Sequence, residues 1–249
     1  NEKPMVHTNI ATAEMIKYAS NAFLALKISY INEVANLCEA VGADVHLVAK
    51  AMGQDGRISP KFLHPGPGFG GSCFPKDTHA IAAFSRKKGV PMNTIDAAII
   101  TNNDQKKRMT EKLKNLVGGD FSGKTIGVLG LAFKPNTDDV RESSSIEMIQ
   151  TILDGGGKVK AYDPMANESM KKVFPNLNYS HSWEETCDDV DAVVIMTEWN
   201  EFRGMSLEKL KKIMKAPIVL DTRNILSIDK LSEHGFQFDN VGRKKYYDS

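Results

Sequence analysis

Cysteine is scarce in this chain, and the three present, Cys38, Cys73 and Cys187, form neither a Cys-x-x-Cys pair nor a disulfide framework. So sparse a set suits a reducing cytoplasm, the expected location, where a free thiol stays reactive. Long apolar runs are missing as well. None reaches the roughly 18 residues that span a bilayer, and the first residues lack the charged-then-apolar layout of a secretory signal. No membrane partner is expected. Net charge is nearly absent, at +1 from 32 Lys and Arg against 31 Asp and Glu, so there is no basic excess to attract nucleic acid. Internal repeats and low-complexity segments are absent, and no metal ligand is assigned. The second half also lacks a dinucleotide fingerprint. Gly127-Val128-Leu129-Gly130 follows a strand-like run but does not have the GxGxxG spacing, and Asp163 after the next strand is weak support alone.

What remains is an ordinary globular composition. With 249 residues, 41% of them apolar, the chain can bury two modest cores. Ala13, Ile16, Ala19, Phe23, Leu26, Tyr30, Val34, Leu37 and Val41 recur at three- and four-residue intervals, which predicts one long helix from Thr12, as N-cap, to a stop at Gly42. Apolar residues on nearly all of its sides point to burial in a core or a dimer interface. Further helices are predicted over 45–52, 75–88 and 93–117, around an irregular glycine- and proline-rich stretch from Gly53 to Pro75. Beyond Gly118-Gly119 the character changes. Apolar strand candidates at 125–129, 159–162, 192–196 and 218–220 alternate with helices starting near Ser144, Asn167, Leu207 and Ser227. That alternation predicts a parallel sheet covered on both faces. The expected architecture is therefore α/β, an all-helical part over 1–118 followed by a Rossmann-like parallel α/β domain over 119–249.

The segment Gly68-Phe69-Gly70-Gly71-Ser72-Cys73-Phe74-Pro75-Lys76-Asp77 holds the residues with the clearest chemistry. Its glycines allow close approach of the main chain to a ligand. Cys73 then precedes a helix start, where the macrodipole favours a thiolate and hence a nucleophile. A lone cysteine can equally be a small buried hydrophobe, the reading given to Cys38 and Cys187. Asp77 reads either as a base or water-orienting group beside the thiol or as an acid stabilising a first helical turn. On the long helix, Lys17 and Asn21 stand at i and i+4 and share a face. They form either a donor pair for an oxyanion or a snorkelling lysine beside an exposed asparagine.

Taken together, Glu14 to Leu24, the Gly68 to Asp77 loop, and Gly130-Leu131-Ala132-Phe133-Lys134 with Arg141-Glu142-Ser143 resemble the UDP-glucose/GDP-mannose dehydrogenase family, in family order and over essentially the whole chain. The resemblance implies an NAD-dependent four-electron oxidation of UDP-glucose to UDP-glucuronate. Cys73 captures the C6 aldehyde as a thiohemiacetal, which is oxidised to a thioester and hydrolysed. It implies that Lys17 and Asn21 stabilise oxyanions, and that Asp77 assists hydrolysis and tunes Lys17. Substrate contacts are implied for Phe62, His64, Phe69, Gly70, Lys134 and Arg223, with Arg57 reaching a neighbouring subunit's sugar; His64 stands where the family often has a basic residue. Arg141 is implied to contact NAD, and the long helix to form a homodimer. Family members carry an NAD-binding Rossmann domain ahead of that helix, so this chain is expected to be a fragment that does not oxidise the sugar alone. The alternatives are a GDP-mannose or UDP-N-acetylhexosamine dehydrogenase, or a non-catalytic nucleotide-sugar-binding dimerisation module.

Overall fold

The structure is a computed structural model, and it describes residues 5–243. Four helices come first: α1 (Ile10–Val41), α2 (Val45–Gly53), α3 (Phe74–Lys87) and α4 (Asn93–Leu116). The expected start of α1 is corrected. Asn9 is the N-cap, its side-chain oxygen accepting the Thr12 amide at 2.8 Å, because an asparagine ahead of the apolar stripe satisfies an orphan N–H that Thr12 cannot. Gly42 ends the helix in the left-handed conformation, φ 75°. α1 buries Ala22, Ala25, Ile31, Ala35 and Cys38 against α3 and α4, with Ser29 and Asn32 among them. Ile16, Phe23, Tyr30 and Leu37, each seven residues apart, stay exposed on the helix, as does Val41.

The second half contains β1 (Thr125–Leu129), α5 (Ser144–Asp154), β2 (Lys158–Tyr162), α6 (Asn167–Lys171), β3 (Asn178–Tyr179), α7 (Trp183–Cys187), β4 (Ala192–Ile195), α8 (Asn200–Arg203), α9 (Leu207–Ile213), β5 (Ile218–Asp221), α10 (Ile228–Glu233) and β6 (Gln237–Asn240). All pairings are parallel, in the order β3-β2-β1-β4-β5-β6. Successive residues of a strand face opposite sides. Ile126, Val128, Ala192 and Val194 meet Met148, Ile149 and Ile152 of α5, while Val193 and Ile195 meet Cys187 of α7 and Leu210 of α9. The strand order reverses between β1 and β4, which opens a crevice at their carboxyl ends.

The helical half does not stand apart. Met109 and Leu113 of α4 are fully buried in the same core as β1 and α5, together with Ile31 and Ala35 of α1. At the seam, Lys112 of α4 donates to Glu39 of α1 at 2.7 Å, to Asp239 of β6 at 3.0 Å and to the Asn240 carbonyl at 2.6 Å. Burial pushes the Glu39 carboxyl up, but hydrogen bonds from Lys112, the Gly242 amide and Arg108 outweigh it and hold the group below its ordinary value. A carboxyl depressed in the folded state contributes stability above its unfolded value and loses it as pH falls through the folded one. Lys112→Ala is therefore expected to lower unfolding free energy at neutral pH by about 2 kcal/mol in urea titration, with the gap to the parent narrowing in the acid range below the ordinary glutamate value. An equal gap at all pH values would contradict the linkage.

Candidate functional site

The cysteine loop runs between α2 and α3, and its backbone from Gly66 to Gly71 is buried. Side chains from other elements hold it: the Gly66 amide donates to Asn32 Oδ1 at 2.8 Å, and the Phe69 amide to Asn102 Oδ1 at 2.7 Å. Gly71 donates its amide to the Arg141 carbonyl at 2.8 Å. Two glycines are required here by space. A Cβ on Gly70 would run into the Glu142 carbonyl, and one on Gly71, at φ 80°, would lie 2.8 Å from the Phe133 ring. Glycine thus lets the loop lie flat on the turn that follows β1. Cys73 emerges beyond this contact, exposed, at the N-cap of α3, whose first two residues are Phe74 and Pro75. Cys38 and Cys187 are buried, and burial pushes both thiols up, away from the thiolate.

One turn into α3, Asp77 is completely buried. Its Oδ2 accepts from Asn21 Nδ2 at 2.6 Å and lies 3.7 Å from Lys17 Nζ; its Oδ1 lies 3.7 Å from Lys76 Nζ. A buried carboxylate needs such compensation. Lys17 itself is 59% exposed, so its ammonium stays accessible while Asp77 sets its direction. Asn21 is half-buried and bonded rather than a free surface amide. The four residues Cys73, Asp77, Asn21 and Lys17 therefore gather at one corner, where α3 begins against the first third of α1.

On one side of Cys73 opens a cleft of about 430 Å³, lined by Phe62, His64, Phe69, Gly70, Lys134 and Arg223, together with Lys61, Phe74, Phe133 and Glu198. It occupies the reversal point of the sheet, at the ends of β1, β4 and β5. Arg223 is set there by its own backbone: its amide donates to Asp221 Oδ1 at 3.1 Å. Its guanidinium donates to the Met196 carbonyl at 2.7 Å and the Phe133 carbonyl at 3.3 Å, with Glu198 at 3.1 Å. Three permanent cations against one carboxylate, between aromatic walls, suit a polyanion attached to flat or ring-shaped groups. A second opening, of about 560 Å³, lies on the other side of Ser72 and is lined by Lys76, His79, Arg141 and Glu142.

Residues 11–104 match the central domain of the UDP-glucose/GDP-mannose dehydrogenase family, and residues 127–228 match its UDP binding domain. The chain belongs to this family. It is 46% identical to a UDP-glucose 6-dehydrogenase of Rhizobium meliloti strain 1021, over 98% of this chain and 56% of that protein. It is 45% identical to one from Bacillus subtilis strain 168, over 96% of this chain and 52% of that protein. Among solved structures, a UDP-glucose dehydrogenase from Pyrobaculum islandicum superposes with a TM-score of 0.88 at 36% identity, covering 98% of this chain and 54% of the other. A UDP-D-ManNAc dehydrogenase from Pyrococcus horikoshii gives 0.80 at 29%, covering 95% and 53%. The chain thus spans just over half the length of the curated relatives it matches.

Six of the seven residues expected from the family resemblance to touch substrate share the cleft; Arg57 does not. Its side chain is 90% exposed and pairs with Asp55 at 2.6 Å, on the surface. Arg141, expected at NAD, lines the second opening and is paired with Asp139, whose carboxyl its guanidinium holds below the usual range. Sequence reasoning missed Glu198 and the amides Asn32, Asn102 and Gln105, which lie within otherwise ordinary segments. Only Asn32 carried a signal, a carboxamide within the apolar stripe of α1; Asn102 and Gln105 stand in a polar run. Because backbone occupies the space a Cβ would need, Gly70→Ala is expected to destabilise the fold by about 2 kcal/mol in chemical denaturation. Unchanged stability would contradict the close approach.

Proposed function

We propose that this chain forms the central and UDP-binding parts of a UDP-glucose 6-dehydrogenase, which oxidises UDP-glucose to UDP-glucuronate through Cys73. The observation that carries the reading is an exposed thiol whose chain neighbours line two openings, Phe74 the cleft and Ser72 the other, beside the buried Asp77 that holds Asn21 and Lys17. Residues 1–118 would be the dimerising helical part and 119–249 the nucleotide-sugar part.

In this reading Lys134, Arg223 and His64 take the diphosphate and adjoining hydroxyls. Phe62 and Phe69 wall the ring systems, and Gly70 presents its backbone to the sugar. The C6 carbon then lies at Cys73. The sulfur adds to the C6 aldehyde and the carbonyl oxygen becomes an alkoxide, which the Lys17 ammonium and the Asn21 amide stabilise. The resulting tetrahedral adduct carries a hydrogen that can leave as hydride; a carbonyl carbon alone is a poor donor. Loss of that hydride leaves a thioester, and attack by water releases the carboxylate and restores the thiol. Asp77, fixed by Asn21, keeps Lys17 aimed at the oxygen and assists the water step.

A bound NAD would supply the hydride acceptor that the two oxidations need. The described residues fit one wall of such a site: Arg141 and Lys76 are cations on the second opening, suited to a pyrophosphate, while the one glycine run with GxGxxG spacing, Gly66 to Gly71, lies between helices and follows no strand. Arg57, exposed at the surface and paired there with Asp55, would have to leave that carboxylate to reach a neighbouring subunit's sugar, and the exposed row Ile16, Phe23, Tyr30 and Leu37 supports self-association through α1. Three unpaired cysteines suit a reducing cytoplasm.

Calorimetry decides the substrate. UDP-glucose is expected to bind this chain at least about tenfold more tightly than GDP-mannose, and Arg223→Ala to weaken UDP-glucose by about tenfold or more through loss of charged hydrogen bonds. Preference for GDP-mannose or a UDP-N-acetylhexosamine would move the chain to that branch of the family, and no binding of any of the three would reject the reading. Light scattering on the same sample at micromolar concentration is expected to give a dimer mass; a monomer mass would remove the α1 interface.

A further inference from the structure

The buried loop from Gly66 to Gly71 has no helix or strand to satisfy its backbone, and buried N–H and C=O groups are costly when unpaired. Carboxamides reaching across from the two long helices do that work. Asn32 Oδ1 of α1 accepts from the Gly66 amide at 2.8 Å, and Gln105 Nε2 of α4 donates to the Gly66 carbonyl at 2.9 Å. Gln105 is backed in turn by Asn36 at 2.9 Å. Asn102 differs from these in spending both ends of its amide on one residue. Its Oδ1 accepts from the Phe69 amide at 2.7 Å and its Nδ2 donates to the Phe69 carbonyl at 3.1 Å, so it pairs with Phe69 as a neighbouring strand would. There is no slack in this fit, since a Cβ on Gly68 would lie 3.0 Å from Asn102 Oδ1.

Phe69 lines the cleft, Gly70 lies against Glu142, and Cys73 follows within one short turn. Asn102 lines neither of the two openings beside Cys73. We infer that Asn102 is a positioning residue: through Phe69 it sets the height of the loop between the nucleotide-sugar cleft and the thiol. A loop unclamped at Phe69 stays tethered at Gly66, at Gly71 and, by one longer bond of 3.4 Å from the Ser144 hydroxyl, at the Gly68 carbonyl, but can bow at Phe69 itself, shifting the ring into or away from the cleft. The affinity consequence rests on the nucleotide-sugar reading given above; the loop consequence does not.

The test compares Asn102→Ala with Met109→Ala, a fully buried apolar position on the same helix that belongs to the shared core and has no polar group to bond the loop. Both substitutions lower Tm. Only Asn102→Ala is expected to speed hydrogen exchange of the Phe69 amide by about tenfold or more, and to raise the UDP-glucose Kd by about tenfold. Asn102→Asp, which keeps the acceptor for the Phe69 amide, is expected to restore that amide's protection; if the alanine variant does not fold, it is compared with Met109→Ala directly. Phe69 exchange in Asn102→Ala no faster than in Met109→Ala, or in a folded Asn102→Asp no better protected than its unclamped neighbours, would overturn the clamp. If the parent chain binds no UDP-glucose, the functional reading fails while the exchange measurement still decides the role of Asn102.

Discussion

Gly70 and Gly71 lie against the backbone of Arg141 and Glu142 and the ring of Phe133, with no space for a side chain between. That contact is where the cysteine loop of the helical half meets the turn after β1, and the placement of everything else near it follows. It brings Phe69 and Gly70 to the mouth of the sheet crevice, and it leaves Cys73 just outside at the start of α3. A side chain at either glycine would push the thiol away from Lys134 and Arg223. The shared core beneath, in which Met109 and Leu113 pack with Ile126 and Ile149, makes the contact rigid enough to hold such a distance.

Charge is arranged in two zones on either side of this seam. In the cleft Lys61 and Lys134 are exposed and Arg223 is largely covered, and Glu198 beside Arg223 is the one carboxylate lining it among the described residues. At the corner by Cys73 the order is reversed. The acid, Asp77, is buried at the centre, with Lys17 and Lys76 outside it. A buried anion ringed by accessible donors can fix the direction of an ammonium group without itself meeting the substrate. That division of labour suits a reaction in which a phosphate-bearing group must be gripped while negative charge appears and disappears on one oxygen.

Much of this was legible in the amino-acid sequence because it was written in periodicity and in glycine. The long stripe from Ala13 to Val41 marked α1, and the apolar runs at Thr125 and Ala192 marked the central strands, since both are buried and regular. The edge strands β3 and β6 escaped: Asn178–Tyr179 is two residues long, and Gln237–Asn240 is mostly polar, as a strand with one open side can be. Cys73 stood out through its glycines and helix start, and Lys17 with Asn21 through their spacing. Asn102 and Gln105 did not stand out. They sit in Thr101-Asn102-Asn103-Asp104-Gln105-Lys106, which reads as a solvated helical face; only the third dimension shows that two of those side chains turn inward to a loop more than thirty residues earlier.

The proposed chemistry requires Cys73 to be an accessible thiol within reach of a nucleotide sugar. Alkylation with iodoacetamide, read by mass spectrometry with and without saturating UDP-glucose, measures both properties at once. Cys73 is expected to be modified while Cys38 and Cys187 remain unmodified in the folded chain, and UDP-glucose is expected to slow labelling of Cys73 by about tenfold or more. Labelling of Cys73 at the same rate in the presence of bound sugar nucleotide would contradict it.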